Sequence, residues 1–553
     1  MDVRRVTRFA TIAAALCLGQ GAARAQIPSV QPTTAQPTTG LSPLAVAPQS
    51  RMRWQDFVKG PDGAKRLASL QKAIAKMKSL NSSAPTSADF RRSWQYWANI
   101  HGYYGPQSAD GTVAQQISYL QSQNMGQFVK YYQGITDQNA PDAIAKAIWA
   151  TCQHSPLADG SQANFFGWHR MYLYYYERVL RWAAQDNTLR LPYWDYTDPS
   201  QEFLPKEFRR ANASIFDAKR NPRVNAGLVS LNPNATNINS FLTNPNYLAA
   251  ESAVEQGVHG YVHCTVGPTC PVAHMGDVPV AGNDPVFYSH HANIDRMWAC
   301  WQQIHGSKPI GQAWENQQFS FVDENGTMQT RPVKDFLNST TLGYVYDNVA
   351  DCARRPLIAA IPGAPVVRLA ATVPTEPAPP AAPAAPVTVH TTGGVAVTSP
   401  TTSVDLNPPR PAMVNAFAAI RNRGAMEVVL HDVVADTPPG TLLDVFLSVK
   451  GDPGKRQQIG TISWFGAFNH HRAGHTGATA RTLTFDITSA VRALGGADLG
   501  LVVVFEASSG LVPADRTQTS VLREEAQRSF RPEANVRIGS IELRTVPSVG
   551  GTP

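Results

Sequence analysis

Six of the fourteen histidines fall into two groups of three, and that arrangement restricts the folds open to this chain. The first group is His101, His154 and His169; the second is His259, His263 and His291. His259 and His263 stand at i and i+4, one turn apart on one helical face. Core packing gives no reason to bring two half-polar rings to one point. A metal ion does, because neutral imidazole is the commonest side-chain ligand for copper, zinc and iron. Phe90, Trp94, Trp97 and His101 follow one another at helical spacing, so the His101 ring belongs with the aromatics on a buried face. His169 leads Tyr172, Leu173, Tyr176 and Leu180 in the same way. His290 and His291 are adjacent, and neighbours on a helix point about 100° apart. Only His291, which shares a face with Ile294 and Trp298, is therefore expected to reach a metal, with His290 behind it.

The run Asn283-Asp-Pro-Val-Phe-Tyr-Ser-His-His-Ala-Asn-Ile-Asp-Arg-Met-Trp298 resembles the second copper signature of the tyrosinase, catechol oxidase and haemocyanin family. The run Phe166-Gly-Trp-His-Arg-Met-Tyr-Leu-Tyr-Tyr-Tyr-Glu177 resembles the first, and the ordered series extends from Trp54 to Asp351. The resemblance implies a mainly α catalytic domain in which a four-helix bundle holds two copper ions. His101, His154 and His169 would bind one ion, and His259, His263 and His291 the other. His290, Phe287, Asn293 and Asp295, with Arg296, would surround and orient these ligands. Three nitrogen ligands leave open positions on each copper, where the family binds O2 between the two ions. Cys152-Gln-His154 resembles fungal members in which the cysteine sulfur is joined to the histidine ring as a thioether. The gap between His154 and His169 is longer than in many relatives.

On this resemblance the chain oxidises o-diphenols to o-quinones with O2, and hydroxylates monophenols first. Glu255, four residues before His259, matches a glutamate that holds a water near the incoming phenol. Relatives with strong monophenolase activity often carry Asn directly after the first ligand of the second site, where this chain has Gly260. Glycine cannot orient a water by side chain, so a diphenolase-only catechol oxidase or an o-aminophenol oxidase is the alternative. A reversible oxygen carrier of the haemocyanin kind uses the same six histidines and is the alternative of another class. A zinc hydrolase fits less well: there is no Cys2His2 spacing and no His-Glu-x-x-His motif. The expected partners are small phenols and O2.

The rest of the 553 residues bounds the cellular setting. Net charge is +7 without basic-aromatic clusters, which argues against a nucleic-acid partner. Residues 1–25 read as a secretory signal: Arg4, Arg5 and Arg8, a short apolar run, then Ala23-Arg24-Ala25. The expectation is an exported protein, periplasmic or secreted, with no membrane span. After Cys17 leaves with the signal, Cys152, Cys264, Cys270, Cys300 and Cys352 remain. The preferred disulfides are Cys264–Cys270 and Cys300–Cys352, although spacing does not fix the pairing.

Residues 26–50 read as a disordered lead-in, 51–361 as the copper domain and 362–411 as a Pro/Ala/Thr-rich linker. From residue 412 to 546 the pattern is strand-like. Leu443, Val445, Leu447 and Val449 alternate with Asp444, Phe446, Ser448 and Lys450, which predicts an antiparallel β-sandwich. This region resembles the C-terminal domain of plant-type polyphenol oxidases. Its turn Trp464-Phe-Gly-Ala-Phe468 carries apolar rings. Phe465 or Phe468 is expected either to fill the sandwich core or to occupy the place of a substrate phenol, shielding the copper site.

Overall fold

The computed structural model describes residues 48–101, 112–122, 124, 126–139, 164–306, 311–349, 386–421, 424–468, 480–495 and 500–546. The proposed signal and most of the lead-in and the linker's first half lie outside the described residues, as do Cys152, His154 and Cys352.

The helical part is arranged around one long buried helix. α1 (Gly63–Ser79) and α2 (Trp94–Asn99) precede α3 (Phe165–Ala184), in which nearly every side chain is buried. Two sides of α3 are covered, by α1 and by the equally long α6 (Val286–His305). A helix apolar or aromatic on most faces is stable only when enclosed in this way. It stops at Gln185, which adopts the left-handed conformation that ends many helices. Between them in sequence lie a short strand β1 (Val229–Leu231), α4 (Tyr247–Ala253), a π-helical turn Val254–His259, and α5 (Gly260–Val266).

Buried charges brace this frame. Asp295 on α6 accepts from Arg170 on α3 at 2.5 Å, from Arg51 at 3.2 Å, and from the hydroxyls of Tyr344 and Tyr346, both at 2.6 Å. Arg51 also donates to Glu177 at 2.9 Å. Asn293 accepts from Arg296, which reaches Asp195 at 2.7 Å. Asp295 and Asn293 were expected to orient imidazoles. The Asp295 carboxylate instead ties α6 to α3 through Arg170 and to Arg51, Tyr344 and Tyr346, while the Asn293 bond to Arg296 lies within α6; buried guanidinium groups need such acceptors.

The C-terminal part is built from strands β2 (Val387–Thr392), β3 (Val395–Val397), β4 (Thr401–Asp405), β5 (Ala425–Val433), β6 (Leu442–Val449), β7 (Asp452–Ile462), β8 (Arg481–Asp486), β9 (Leu501–Ser508), β10 (Leu511–Pro513), β11 (Val536–Ile538) and β12 (Ser540–Val546). Two four-stranded antiparallel sheets run in the orders β7-β6-β9-β4 and β8-β5-β12-β2. The alternation predicted in β6 holds in part: Leu443, Val445 and Leu447 are fully buried, but Val449 is half-buried, and Asp444 and Ser448 on the other face are buried as well. Residues 387–405, expected within the linker, form β2, β3 and β4. Their Thr/Val alternation lacks large apolar residues because they are edge strands, with one exposed face. Three helices were not expected: Arg410–Arg421, Thr488–Leu494 and Thr519–Ser529.

The two parts share hydrogen bonds. β10 pairs antiparallel with β1, Leu511 opposite Leu231 and Pro513 opposite Val229. Tyr261 donates to the Gly510 carbonyl at 2.6 Å, Asn232 to Gln458 at 2.8 Å, and Arg223 forms a two-pronged pair with Glu525. A disulfide links Cys264 and Cys270, as preferred from sequence. Cys300 is also disulfide-bonded, and Cys352 lies outside the described residues. No described helix is long and apolar enough to cross a membrane.

Candidate metal centre

Five of the six singled-out histidines are described, and all five meet. His101 follows α2, His169 lies in the first turns of α3, His259 ends the π-helical turn, His263 is on α5 and His291 on α6. One ring nitrogen from each of His101, His169 and His291 falls within 4.8 Å of the others; the same is true of His259, His263, His290 and His291. The rings are fully buried.

The backbone decides which nitrogen each ring presents. Nδ1 of His101 hydrogen-bonds the Val278 carbonyl at 2.8 Å, and Nδ1 of His169 that of Phe165 at 2.6 Å. Nδ1 of His259 meets the Glu255 carbonyl at 2.9 Å, and Nδ1 of His263 that of Met275 at 2.7 Å. A carbonyl only accepts, so each Nδ1 carries the proton and each Nε2 keeps its lone pair. Burial holds the rings neutral: it pushes His101 down to about 4 and His259 to about 3. Nε2 of His101 then faces Nε2 of His169 at 3.4 Å with no proton between them, and Nε2 of His259 is buried without a partner. Lone pairs converging in a dry interior suit a cation, and neutral nitrogen donors suit copper.

His290 departs from expectation. Its ring stacks on His259, centroids 5.5 Å apart and 6° from parallel, so it stands beside the second group and not behind it. Its Nδ1 shares a hydrogen bond with the Tyr196 hydroxyl at 2.8 Å, and its Nε2 has no partner. Phe287 lies edge-on to His101 at 4.5 Å and against His291 at 4.2 Å.

The two phenylalanines of the C-terminal turn part company. Phe468 packs on Trp464 within the C-terminal part, centroids 5.9 Å apart. Phe465 stacks on His263, centroids 3.8 Å apart and 7° from parallel, and stands edge-on to His259 at 5.3 Å. The turn is closed by the Ala467 N–H donating to the Trp464 carbonyl at 3.1 Å. Gly466, with φ of 67°, supplies the left-handed residue that puts Phe465 at the tip. Gly260 lies under this turn: a Cβ there would come within 2.6 Å of Ser463 Oγ.

Glu255 is buried beside the centre. Burial raises its carboxyl, Glu251 one turn earlier raises it further, and Arg481 of β8 pulls it back. Glu251 accepts from the Phe166 N–H at 2.9 Å and from Tyr247 at 3.2 Å, holding the start of α3, and burial pushes it up to about 8. Glu251, Arg481, Ser463 and Tyr196 escape sequence reasoning. Arg481 is one arginine among many, and only the fold carries it across more than two hundred residues to Glu255.

Residues 91–304 match the family model of the common central domain of tyrosinase, and residues 311–356 that of the polyphenol oxidase middle domain. Polyphenol oxidase II of Ipomoea batatas is 33% identical over 224 residues, which is 33% of this chain and 38% of that protein. A tyrosinase of Hahella sp. (strain CCB-MM4) is 29% identical over 305 residues, 50% of this chain and 59% of that protein. The chain thus spans well under two thirds of these relatives. Latent aurone synthase, a polyphenol oxidase, has the same fold with a TM-score of 0.53, 20% identity, and coverage of 92% of this chain and 91% of that one. Latent apple tyrosinase gives 0.50, 19%, 91% and 98%. The chain therefore carries a tyrosinase-type central domain followed by a polyphenol oxidase middle domain, as in the binuclear copper family.

Proposed function

We propose that this chain, with its tyrosinase-type central domain, is an exported binuclear copper oxidase that converts o-diphenols to o-quinones and is held latent by its own C-terminal sheets. The supporting observation is the set of Nδ1–carbonyl hydrogen bonds at His101, His169, His259 and His263, which leaves four Nε2 lone pairs converging. His101, His154 and His169 hold one copper and His259, His263 and His291 the other. Copper supplies the one-electron chemistry that moves four electrons from two diphenols to O2, giving two quinones and two waters.

The chain's own residues set the rest. The carbonyls fix the imidazole tautomers, and the buried aromatic shell excludes water. Phe465 fills the position over His263 that a phenol ring needs, so turnover requires the turn to leave. Cys152 and His154 lie outside the described residues; the Cys-x-His spacing supports a thioether between them that would fix the His154 ring at the first site.

Monophenol hydroxylation is assigned to Glu255, which accepts the phenolic proton through water. A diphenolase-only enzyme, or an o-aminophenol oxidase, is the second reading. It is favoured by Gly260, whose missing side chain leaves Glu255 without an amide partner. Metal analysis joined to oxygen uptake tests the proposal. Two coppers per chain and uptake with a catechol are expected. Reversible O2 binding without uptake would point to a carrier, and bound zinc without uptake to a hydrolase.

A further inference from the structure

The carbonyls that hold the buried imidazoles come from two sources. His169 and His259 each bond a carbonyl four residues back on their own helical turns, those of Phe165 and Glu255. His101 and His263 do not. Their partners, Val278 and Met275, stand three residues apart in one segment between α5 and α6. Each proposed copper group therefore has one ring fixed by its own helix and one fixed by this shared segment. The segment contains only a one-turn helix, Ala273–Gly276, and a 3-10 turn, Val278–Asn283. Elements this short do not hold their own shape. Ala273 has φ of 56°, a left-handed conformation that a residue with a side chain keeps only where its surroundings impose it.

Those surroundings grip the segment at both ends. At its start, the Asp217 carboxylate accepts from Nδ1 of His274 at 2.6 Å, and the Cys264–Cys270 disulfide ties the preceding residues to α5. At its end, Arg220 donates to Asp284 through two bonds of 2.6 and 2.7 Å, both side chains wholly buried. Asp284 also accepts from the Val286 N–H that opens α6, at 2.9 Å. Nε1 of Trp94 on α2 donates to the Asn283 carbonyl at 3.1 Å, and a Cβ on Gly282 would come within 3.0 Å of Ala98. Asp217 and Arg220 belong to one loop, which the Asn221 N–H fastens to the Val266 carbonyl at the end of α5 at 2.8 Å. We propose that residues 273–283 are a strap that positions one imidazole of each copper group, and that His274 and Asp217 are positioning residues acting on both metals through it. That role rests on the two-copper reading above and goes beyond it: the two sites are coupled through one piece of backbone.

The test uses the full chain bearing His274→Ala. The His274 side chain is 31% exposed, so its removal opens little of the core. In the metal-free chain with isotope-labelled histidine, solvent exchange of the Nδ1 protons is followed by magnetic resonance. Those of His101 and His263 should exchange about tenfold faster, the scale of one lost hydrogen bond to a charged group, while those of His169 and His259 stay unchanged. Titration with Cu(I) against a chromophoric chelator should show both sites weakened about tenfold, as for lost support behind a metal-binding histidine. His274→Gln, whose amide can still donate to Asp217, should recover both. Asp217→Ala should repeat the pattern of His274→Ala and decides the matter if that variant fails to fold. Weakening of one site alone, or equal quickening of all four rings, would overturn the proposal. So would a lower thermal midpoint with exchange and affinity unchanged, the mark of a merely structural contact. If the unaltered chain takes up no copper, the oxidase reading fails, and the exchange pattern still decides whether the strap holds His101 and His263.

Discussion

At the level of single residues, the tautomer of each imidazole governs the chemistry. His263 donates from Nδ1 to Met275 and presents Nε2 to its neighbours. His263→Ala should remove one metal ion from the loaded chain and abolish catechol oxidation, as measured by copper content and oxygen uptake. Retention of both ions with full activity would refute the ligand assignment. Gly260→Asn is a second case. From sequence alone it adds an amide beside Glu255 and should raise monophenol relative to diphenol turnover. In the fold, even a Cβ reaches Ser463 Oγ at 2.6 Å. The same substitution should therefore also push the turn off the site, raising diphenol turnover of the intact chain about fivefold, the scale of a kilocalorie or so of overpacking strain. Unchanged diphenol turnover would mean that the turn tolerates the side chain. The histidines were legible because metal ligands impose residue type and spacing together. The carbonyl partners, Tyr196 and Arg481 were not, since a backbone carbonyl has no sequence signature and a lone arginine has no period.

Among the elements, the strong patterns were legible and the weak ones were not. β6 announces itself by alternation, and α3 and α6 by their signatures. β2 to β4 hide in a Thr/Val/Pro composition that also suits a linker, and only their pairing with β12, β11 and β9 identifies them. The predicted alternation also misses what lies on the second face of β6. Asp444 is buried there and accepts from Thr461 at 2.7 Å. Burial pushes its carboxyl from 3.8 up to about 6. The folded state then holds the proton more tightly than the unfolded state. The group's stabilising contribution is complete below pH 3.8 and is lost as pH rises through 6. Above that window the accumulated cost is about 3 kcal/mol, from a shift of about two units. Asp444→Asn, which mimics the protonated form, should flatten this slope and raise the thermal midpoint near pH 7. A midpoint that falls at pH 7, or an unchanged slope between pH 4 and 6, would contradict the assignment.

Across the whole molecule, the proposed latency would belong to the interface between the two parts and not to the tether. The β1–β10 ladder, Tyr261 to Gly510 and Arg223 to Glu525 join the two parts independently of the linker. Proteolysis between residues 362 and 385 should leave the fragments co-eluting on native size exclusion, with turnover unchanged. Separation on cutting, with a rise in turnover, would mean that the tether had held the domain in place. The central claim is that the described histidines form a copper oxidase site whose ring position Phe465 fills. The most direct test is oxygen uptake with 4-methylcatechol by copper-loaded full chains, intact and Phe465→Ala, at matched copper content. The account predicts catechol-dependent uptake in both, about tenfold or more higher in Phe465→Ala, the scale of removing one stacked aromatic ring. No uptake from either chain at full copper content would contradict it.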